Sequence, residues 1–164
     1  MNEHQRLFLV QARSGFAVFE LLRKQPAVAS CHPLHYLQIA TEMFGKAHAW
    51  KTGPSFRTHR AIVGFLRSLS TNRAAQQQFG FGGKNEAWSS RIRASITLAE
   101  RVEDLAPAIA QDGPNPEYPW PRANPEVAPA EHEFDLWLTL RDTAKGRQFL
   151  HLLGVLLATA EAYL

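Results

Sequence analysis

Cysteine is almost absent from this chain, since Cys31 is the single one among 164 residues. One thiol cannot form an intramolecular disulfide, which excludes the small secreted folds that depend on disulfide bonds. The start of the chain also lacks the basic and apolar regions of a secretory signal. We therefore expect the protein to reside in the reducing cytoplasm.

Long hydrophobic runs are absent as well. The longest strongly apolar stretch, residues 149–160, contains His151 and is shorter than the roughly 20 residues that a bilayer crossing needs. It predicts a core helix, and we expect no membrane association. Hydrophobic residues make up 45% of the chain and charged residues 20%, which is far from the composition of disordered proteins. Length and composition together predict one packed domain over residues 1–164.

Acidic residues are scarce in the middle of the chain. Residues 46–101 include ten lysines and arginines against two glutamates, whereas residues 102–164 include four basic side chains against ten acidic ones. Two interpretations stay open. The basic and acidic segments pack together and neutralise each other, or the basic segment faces RNA or an acidic partner.

The spacing of apolar residues predicts an all-α fold with a helix-like period. Capping and helix-breaking residues give the expected boundaries, which are Asn2 to about Lys24, Ser30 to Gly53-Pro54, Ser55 or Thr58 to about Leu69, Asn85 to Pro107, and Thr143 to Leu164. The second helix is apolar on two sides, which predicts a central position. Its polar residues Gln38, Glu42 and Lys46 are spaced by four and predict a narrow solvated stripe with a Glu42–Lys46 pair.

Six prolines predict a loop over residues 112–133, because proline interrupts both helices and sheets. Tyr118 and Trp120 within it predict that the loop packs on the helical bundle. Residues 134–140 then alternate between apolar and other side chains, which fits either an extended segment or a helical turn.

Residues 34–47 resemble the central helix of HEPN domains, a family whose name abbreviates higher eukaryotes and prokaryotes nucleotide-binding. That helix carries a pattern like "QxAxEKxxKA" and is followed by a glycine and a Thr-His pair that opens a short helix ending in leucines. The matching residues here are Gln38 to Ala47, Gly53-Pro54, Arg57-Thr58-His59, Leu66 and Leu69. Glu117-Tyr118-Pro119 resembles the Arg-Tyr-Pro turn of the family, with Glu117 in place of arginine.

The resemblance implies an up-and-down bundle of four or five helices that often dimerises and occurs in toxin–antitoxin and phage-defence systems. Many members are metal-independent RNases whose active site is an Arg, four to six intervening residues and then a His, without a cofactor. None of the seven histidines here has an Arg at that spacing. The nearest substitutes are Lys145 and Arg147, which precede His151 with five and three intervening residues.

Arg147 and His151 share one face of a helix. Two interpretations are open for them. They form a catalytic pair in a cleft, in which His151 transfers a proton and Arg147 or Lys145 stabilises phosphoryl charge. Alternatively, Arg147 is solvated and His151 is a packed core histidine.

Two further clusters contain chemically capable side chains. Arg57, His59 and Arg60 lie at a predicted helix start, where they either bind phosphate with free backbone N–H groups or form a solvated corner. The segment Cys31-His32-Pro33-Leu34-His35 holds three metal-capable side chains, but the second half of a zinc site is missing, so we expect no metal.

Taken without its catalytic pair, the resemblance implies a dimerising or partner-binding subunit of a prokaryotic defence or toxin–antitoxin system. We expect a homodimer or a hetero-oligomer that lacks its own catalysis. Two alternatives stay open: a metal-independent RNase with a non-standard Arg/Lys–His pair, and an RNA-binding protein that uses the basic middle segment.

Overall fold

A computed structural model describes residues 1–50, 59–111, 113–121 and 126–164 of the chain. These residues contain helices and one isolated bridge but no β-strand, which confirms the all-α prediction. The described ranges hold seven α-helices, more than the four or five predicted. They are α1 (Glu3–Leu22), α2 (Cys31–Ala49), α3 (Ala61–Leu69), α4 (Arg73–Gln78), α5 (Asn85–Glu103), α6 (Asp135–Asp142) and α7 (Ala144–Ala158).

Local capping explains where α1 begins. The Asn2 side chain accepts a hydrogen bond from Gln5 N at 3.0 Å, and the Gln5 side chain accepts one from Asn2 N at 2.8 Å. The predicted capping box is therefore confirmed. Ser30 precedes α2 but makes no side-chain capping bond. The predicted stop at Gly53-Pro54 and the caps Ser55 and Thr58 lie outside the described residues.

Two short helices were not predicted as such. Asn72 caps α4 by accepting from Ala75 N at 3.0 Å. A glycine-rich turn follows, with Gly80 and Gly83 at φ of 73° and 74°.

The ambiguous segment 134–140 forms most of α6, so its alternating pattern reflects a helix on the surface of the core. Asn85 is the first residue of α5, so its predicted N-cap role is wrong, and α5 ends at Glu103, before Pro107.

The centre of the molecule is α2, as its two apolar sides predict. Eleven of its 19 residues are buried, and it contacts α1, α3 and α5. The helix α7 closes the core against α1, α5 and α6, which confirms the core helix predicted from residues 149–160. Among the described helices, none combines the length and apolarity that crossing a bilayer requires.

The predicted solvated stripe on α2 is wrong. Gln38 and Glu42 are only 4% and 8% exposed, because α3 begins against this side of α2. Gly45 makes the close approach feasible. A Cβ placed on Gly45 would lie 2.5 Å from Ala61 C and from Ile62 N, which is far closer than ordinary van der Waals contact.

The proline-containing segment packs through one aromatic residue only. Trp120 is 4% exposed and meets His132 and Phe134 edge-on. Tyr118 is 60% exposed, so the expectation that it lies against the bundle is wrong. Residues 112 and 122–125 of this segment lie outside the described ranges.

We predict that Gly45→Ala destabilises the protein by about 1–3 kcal/mol, because the added methyl must displace the backbone of α3. Gly64→Ala is the matched control, since a Cβ on Gly64 meets nothing within 4 Å and alanine is the better helix former. Urea unfolding measures both free energies. Equal unfolding free energies in the two variants would contradict the close α2–α3 contact.

Candidate functional site

A groove runs between α1 and α7. It has a volume of about 490 Å³. Its lining residues are Phe16, Glu20 and Arg23 from the α1 side, and Arg147, Leu150, His151, Gly154, Val155 and Ala158 from α7. The groove therefore holds both members of the Arg147–His151 pair that the sequence singled out.

His151 is exposed, so the interpretation of a packed core histidine is wrong. The reason is the rotation of α7, which turns Phe149, Leu152 and Leu153 into the core and leaves residues 147 and 151 outside. Lys145 is also exposed on α7 but does not line the groove. Of the three predicted catalytic residues, the structure brings Arg147 and His151 together.

The two arginines that line the groove, Arg23 and Arg147, have polar partners within the chain. Arg23 Nε lies 2.8 Å from Glu20 Oε1, and Arg147 Nη1 donates to the Asp142 carbonyl oxygen at 3.2 Å. Among the described residues, no hydrogen bond or ion pair engages the His151 ring. An imidazole and a guanidinium at a groove can exchange a proton and hold a phosphoryl group, but a catalytic histidine is usually oriented by a partner.

In the predicted phosphate-binding corner, both described residues, His59 and Arg60, contact carboxylates. His59 Nδ1 lies 2.9 Å from Glu42 Oε2, and Arg60 Nη2 donates to Asp104 Oδ1 at 2.9 Å. Arg57 lies outside the described residues. The corner therefore has two acidic neighbours, and phosphate binding there stays a prediction.

Ion pairs also connect the basic and acidic segments of the chain. Besides the Arg60–Asp104 pair, Arg101 Nη2 donates to Asp135 Oδ2 at 2.6 Å. Both acidic partners belong to the segment 102–164, and both arginines to the segment 46–101. These contacts favour the interpretation in which the two segments partly neutralise each other.

Glu42 is the centre of a buried polar cluster, in which its predicted pair with Lys46 is confirmed. Its carboxylate accepts from Gln38 Nε2 at 2.7 Å and from Lys46 Nζ, and it also faces His59. Burial opposes ionisation, but the hydrogen bonds of Lys46 and His59 outweigh it and lower the pKa of Glu42. The spacing of four residues along α2 indicated these contacts in the sequence. The sequence also predicted that the stripe is solvated, whereas Gln38 and Glu42 are buried.

Glu103 is a second buried carboxylate, only 2% exposed. Its Oε1 accepts from the backbone N–H groups of Ile62 and Val63, at 2.9 and 3.2 Å, and so satisfies two free donors in the first turn of α3. Oε2 has no hydrogen-bond partner among the described residues. Burial raises the pKa of Glu103 to about 7, although both backbone donors and Arg60 favour the charged form.

The start of α2 lies beside the turn that contains Glu117. His35 Nδ1 is 3.2 Å from Glu117 Oε1, which is within ion-pair distance. Cys31 is 1% exposed, and burial raises the pKa of its thiol, which disfavours the reactive thiolate. Within the described ranges, no group of three or more His, Cys, Asp or Glu side chains is placed to hold a metal ion.

The outer face of α1 is unusually apolar. Leu7, Val10 and Leu21 are 51%, 52% and 62% exposed, and Ser14 and Ala17 are exposed between them. We name these five residues the α1 seam. The buried residues Leu9, Ala12 and Phe19 lie on the opposite face of the helix.

Comparison with known proteins finds no match for this chain, whether among protein families, curated proteins or solved structures. The resemblance to HEPN domains accordingly stays a prediction.

We predict that Glu103 makes stability fall with rising pH. Its pKa is about 7 in the folded protein against an ordinary 4.5, so the folded state keeps this proton to higher pH than the unfolded state does. The favourable contribution is complete below about pH 4.5, declines between pH 4.5 and 7, and is lost above that. It amounts to about 3 kcal/mol by linkage.

Glu103→Gln keeps a backbone-accepting oxygen but cannot ionise, so it should flatten this pH dependence. Denaturant unfolding at a series of pH values between 4 and 8 measures the effect. Glu100→Gln, on the same helix and half-exposed, serves as the control and should retain the wild-type slope. A wild-type slope in Glu103→Gln would show that the fold does not raise the pKa of Glu103.

Proposed function

We propose that this chain is a HEPN-like helical module that binds protein partners, including a second copy of itself, as a subunit of a prokaryotic defence or toxin–antitoxin system. On this proposal it has no catalysis of its own. The observation that supports partner binding is the α1 seam, a continuous row of exposed apolar and small side chains. The resemblance of residues 34–47 and 57–59 supports the family and the system.

Burial of the α1 seam supplies the driving force for association. Monomeric proteins rarely expose large contiguous apolar patches, and such patches commonly mark protein interfaces. Covering a large aliphatic side chain fully contributes roughly 1.5–3 kcal/mol. Leu7, Val10 and Leu21 each leave half or more of their surface available for such burial. Helix faces with this spacing typically pack against another helix.

We predict that Leu21→Asp weakens self-association without unfolding the protein. An aspartate in an apolar contact must be desolvated, so the dimer dissociation constant should rise at least about tenfold. Size-exclusion chromatography with light scattering measures the mass across a concentration series. Circular dichroism checks that α1 stays helical, as expected for a largely exposed position.

Tyr118→Asp is the matched control. Tyr118 is exposed to a similar extent, at 60%, but it lies in the proline-containing segment, far from the α1 seam in sequence. This variant should keep the wild-type mass. Equal loss of association in both variants would point to a general effect of added charge, and an unchanged mass in Leu21→Asp would remove the α1 seam from the interface.

A second candidate function is metal-independent RNA cleavage at the groove between α1 and α7. It is favoured by one observation, which is that Arg147 and His151 both line that groove with exposed side chains. His151 would move the proton of the ribose hydroxyl, and Arg147 would stabilise the phosphoryl charge.

Incubation of the purified protein with labelled RNA in EDTA tests this second function. Cleavage that is lost in both His151→Ala and Arg147→Ala, and kept in Lys145→Ala, would establish the groove as the active site. Lys145 is the control because it is exposed on α7 outside the groove. Absence of cleavage by the wild-type protein would reject the enzyme and leave the partner-binding proposal intact.

A further inference from the structure

The α1 seam follows alternating steps of three and four residues. Its members are Leu7, Val10, Ser14, Ala17 and Leu21. The buried residues of α1 lie on the opposite side of the helix and are Gln5, Leu9, Ala12, Gly15 and Phe19. Steps of three and four keep side chains on one narrow stripe, the arrangement by which two helices pack along their lengths.

An apolar hollow adjoins one end of this stripe. It has a volume of about 280 Å³ and is lined by His4, Leu7, Phe8, Gln11 and Met43. Leu21, which at 62% is the most exposed of the large hydrophobic residues that the structure describes, lies at the other end of α1. Fourteen residues separate Leu7 from Leu21, which is about 21 Å along the helix. The helix α1 thus carries an exposed leucine, Leu21, near one end and an apolar hollow beside Leu7 near the other. An aliphatic side chain can enter such a hollow.

We propose that two copies of the chain pair through antiparallel α1 helices, so that Leu21 of each copy enters the hollow beside Leu7 of the other. This inference rests on the self-association proposed above and adds its geometry. The two-fold axis passes between Ser14 and Ala17, where small side chains allow the helices to approach closely. A C2 interface of this kind is self-complementary by construction.

Charges beside the stripe favour the antiparallel direction. Pairing Val10 with Leu21 and Ser14 with Ala17 brings Arg13 of one copy next to Glu20 of the other, and symmetry repeats that contact. A parallel pairing in register would bring Arg13 beside Val18 and make no contact between Arg13 and Glu20 of the two copies. Antiparallel helix dipoles add a small favourable contribution.

Arg13 keeps its contacts within the chain in this arrangement. Its Nε donates to the Leu157 carbonyl oxygen at 2.8 Å, and its Nη1 lies 2.9 Å from Glu161 Oε1. Its side chain is still 39% exposed, so a second carboxylate can reach the guanidinium. Glu20 lines the groove between α1 and α7, on the same side of the stripe. Both grooves of the dimer therefore open on one side.

Cross-linking at single introduced cysteines tests the direction of pairing. The native Cys31 is 1% exposed, so the wild-type protein provides an unreactive background. Ser14→Cys places a thiol near the proposed axis in both copies. Arg6→Cys places it near the end of α1, where the two copies lie about 28 Å apart along the antiparallel helices. Light scattering first establishes the mass of each variant.

A short bis-maleimide should link Ser14→Cys into a covalent dimer and leave Arg6→Cys as single chains. Linkage of both variants would indicate parallel helices and overturn the inference. A dimeric mass without linkage of Ser14→Cys would place the interface elsewhere, which overturns the inference while the proposed self-association stands. A monomeric mass for both variants and the wild type would reject the self-association and the pairing together.

Discussion

The packing of α1 against α2 determines which surfaces this protein exposes. A Cβ on Gly15 would touch Ala40 at 3.4 Å, so the two helices lie close together at this point. The Gln5 amide donates to the Ala47 carbonyl oxygen at 3.2 Å and fixes how the helices are aligned. Once that face of α1 is buried, helix geometry leaves the α1 seam outside, and the side facing α7 forms the groove.

Two buried carboxylates, those of Glu42 and Glu103, fix the position of the start of α3. Because α2 is surrounded, its polar side chains must find partners within the protein, and Glu42 does so with Lys46 and His59. Glu103, at the end of α5, accepts hydrogen bonds from two backbone N–H groups at the start of α3. The start of α3 is therefore held by two acids on two helices, next to Gly45. Both acids therefore have partners that stabilise the fold.

Periodicity and capping residues predicted much of the fold, and packing decided the rest. The α1 capping box and the central place of α2 follow from local sequence. The polarity of Gln38 and Glu42 suggested exposure, but the contact with α3 overrides it. For His151 the difference is reversed. Its apolar neighbours in the sequence suggested burial, whereas the orientation of α7 leaves its side chain exposed. The sequence did not predict the α1 seam, because α1 carries apolar residues on two faces. The structure shows which of these faces is covered.

Sedimentation equilibrium of the wild-type protein tests most directly whether two copies associate through α1. The chain has a mass of 18.4 kDa. We predict a reversible, concentration-dependent rise to twice that mass with no larger species, because antiparallel pairing of α1 closes on itself. A mass equal to one chain at every concentration would contradict the claim, and so would open-ended growth beyond the dimer.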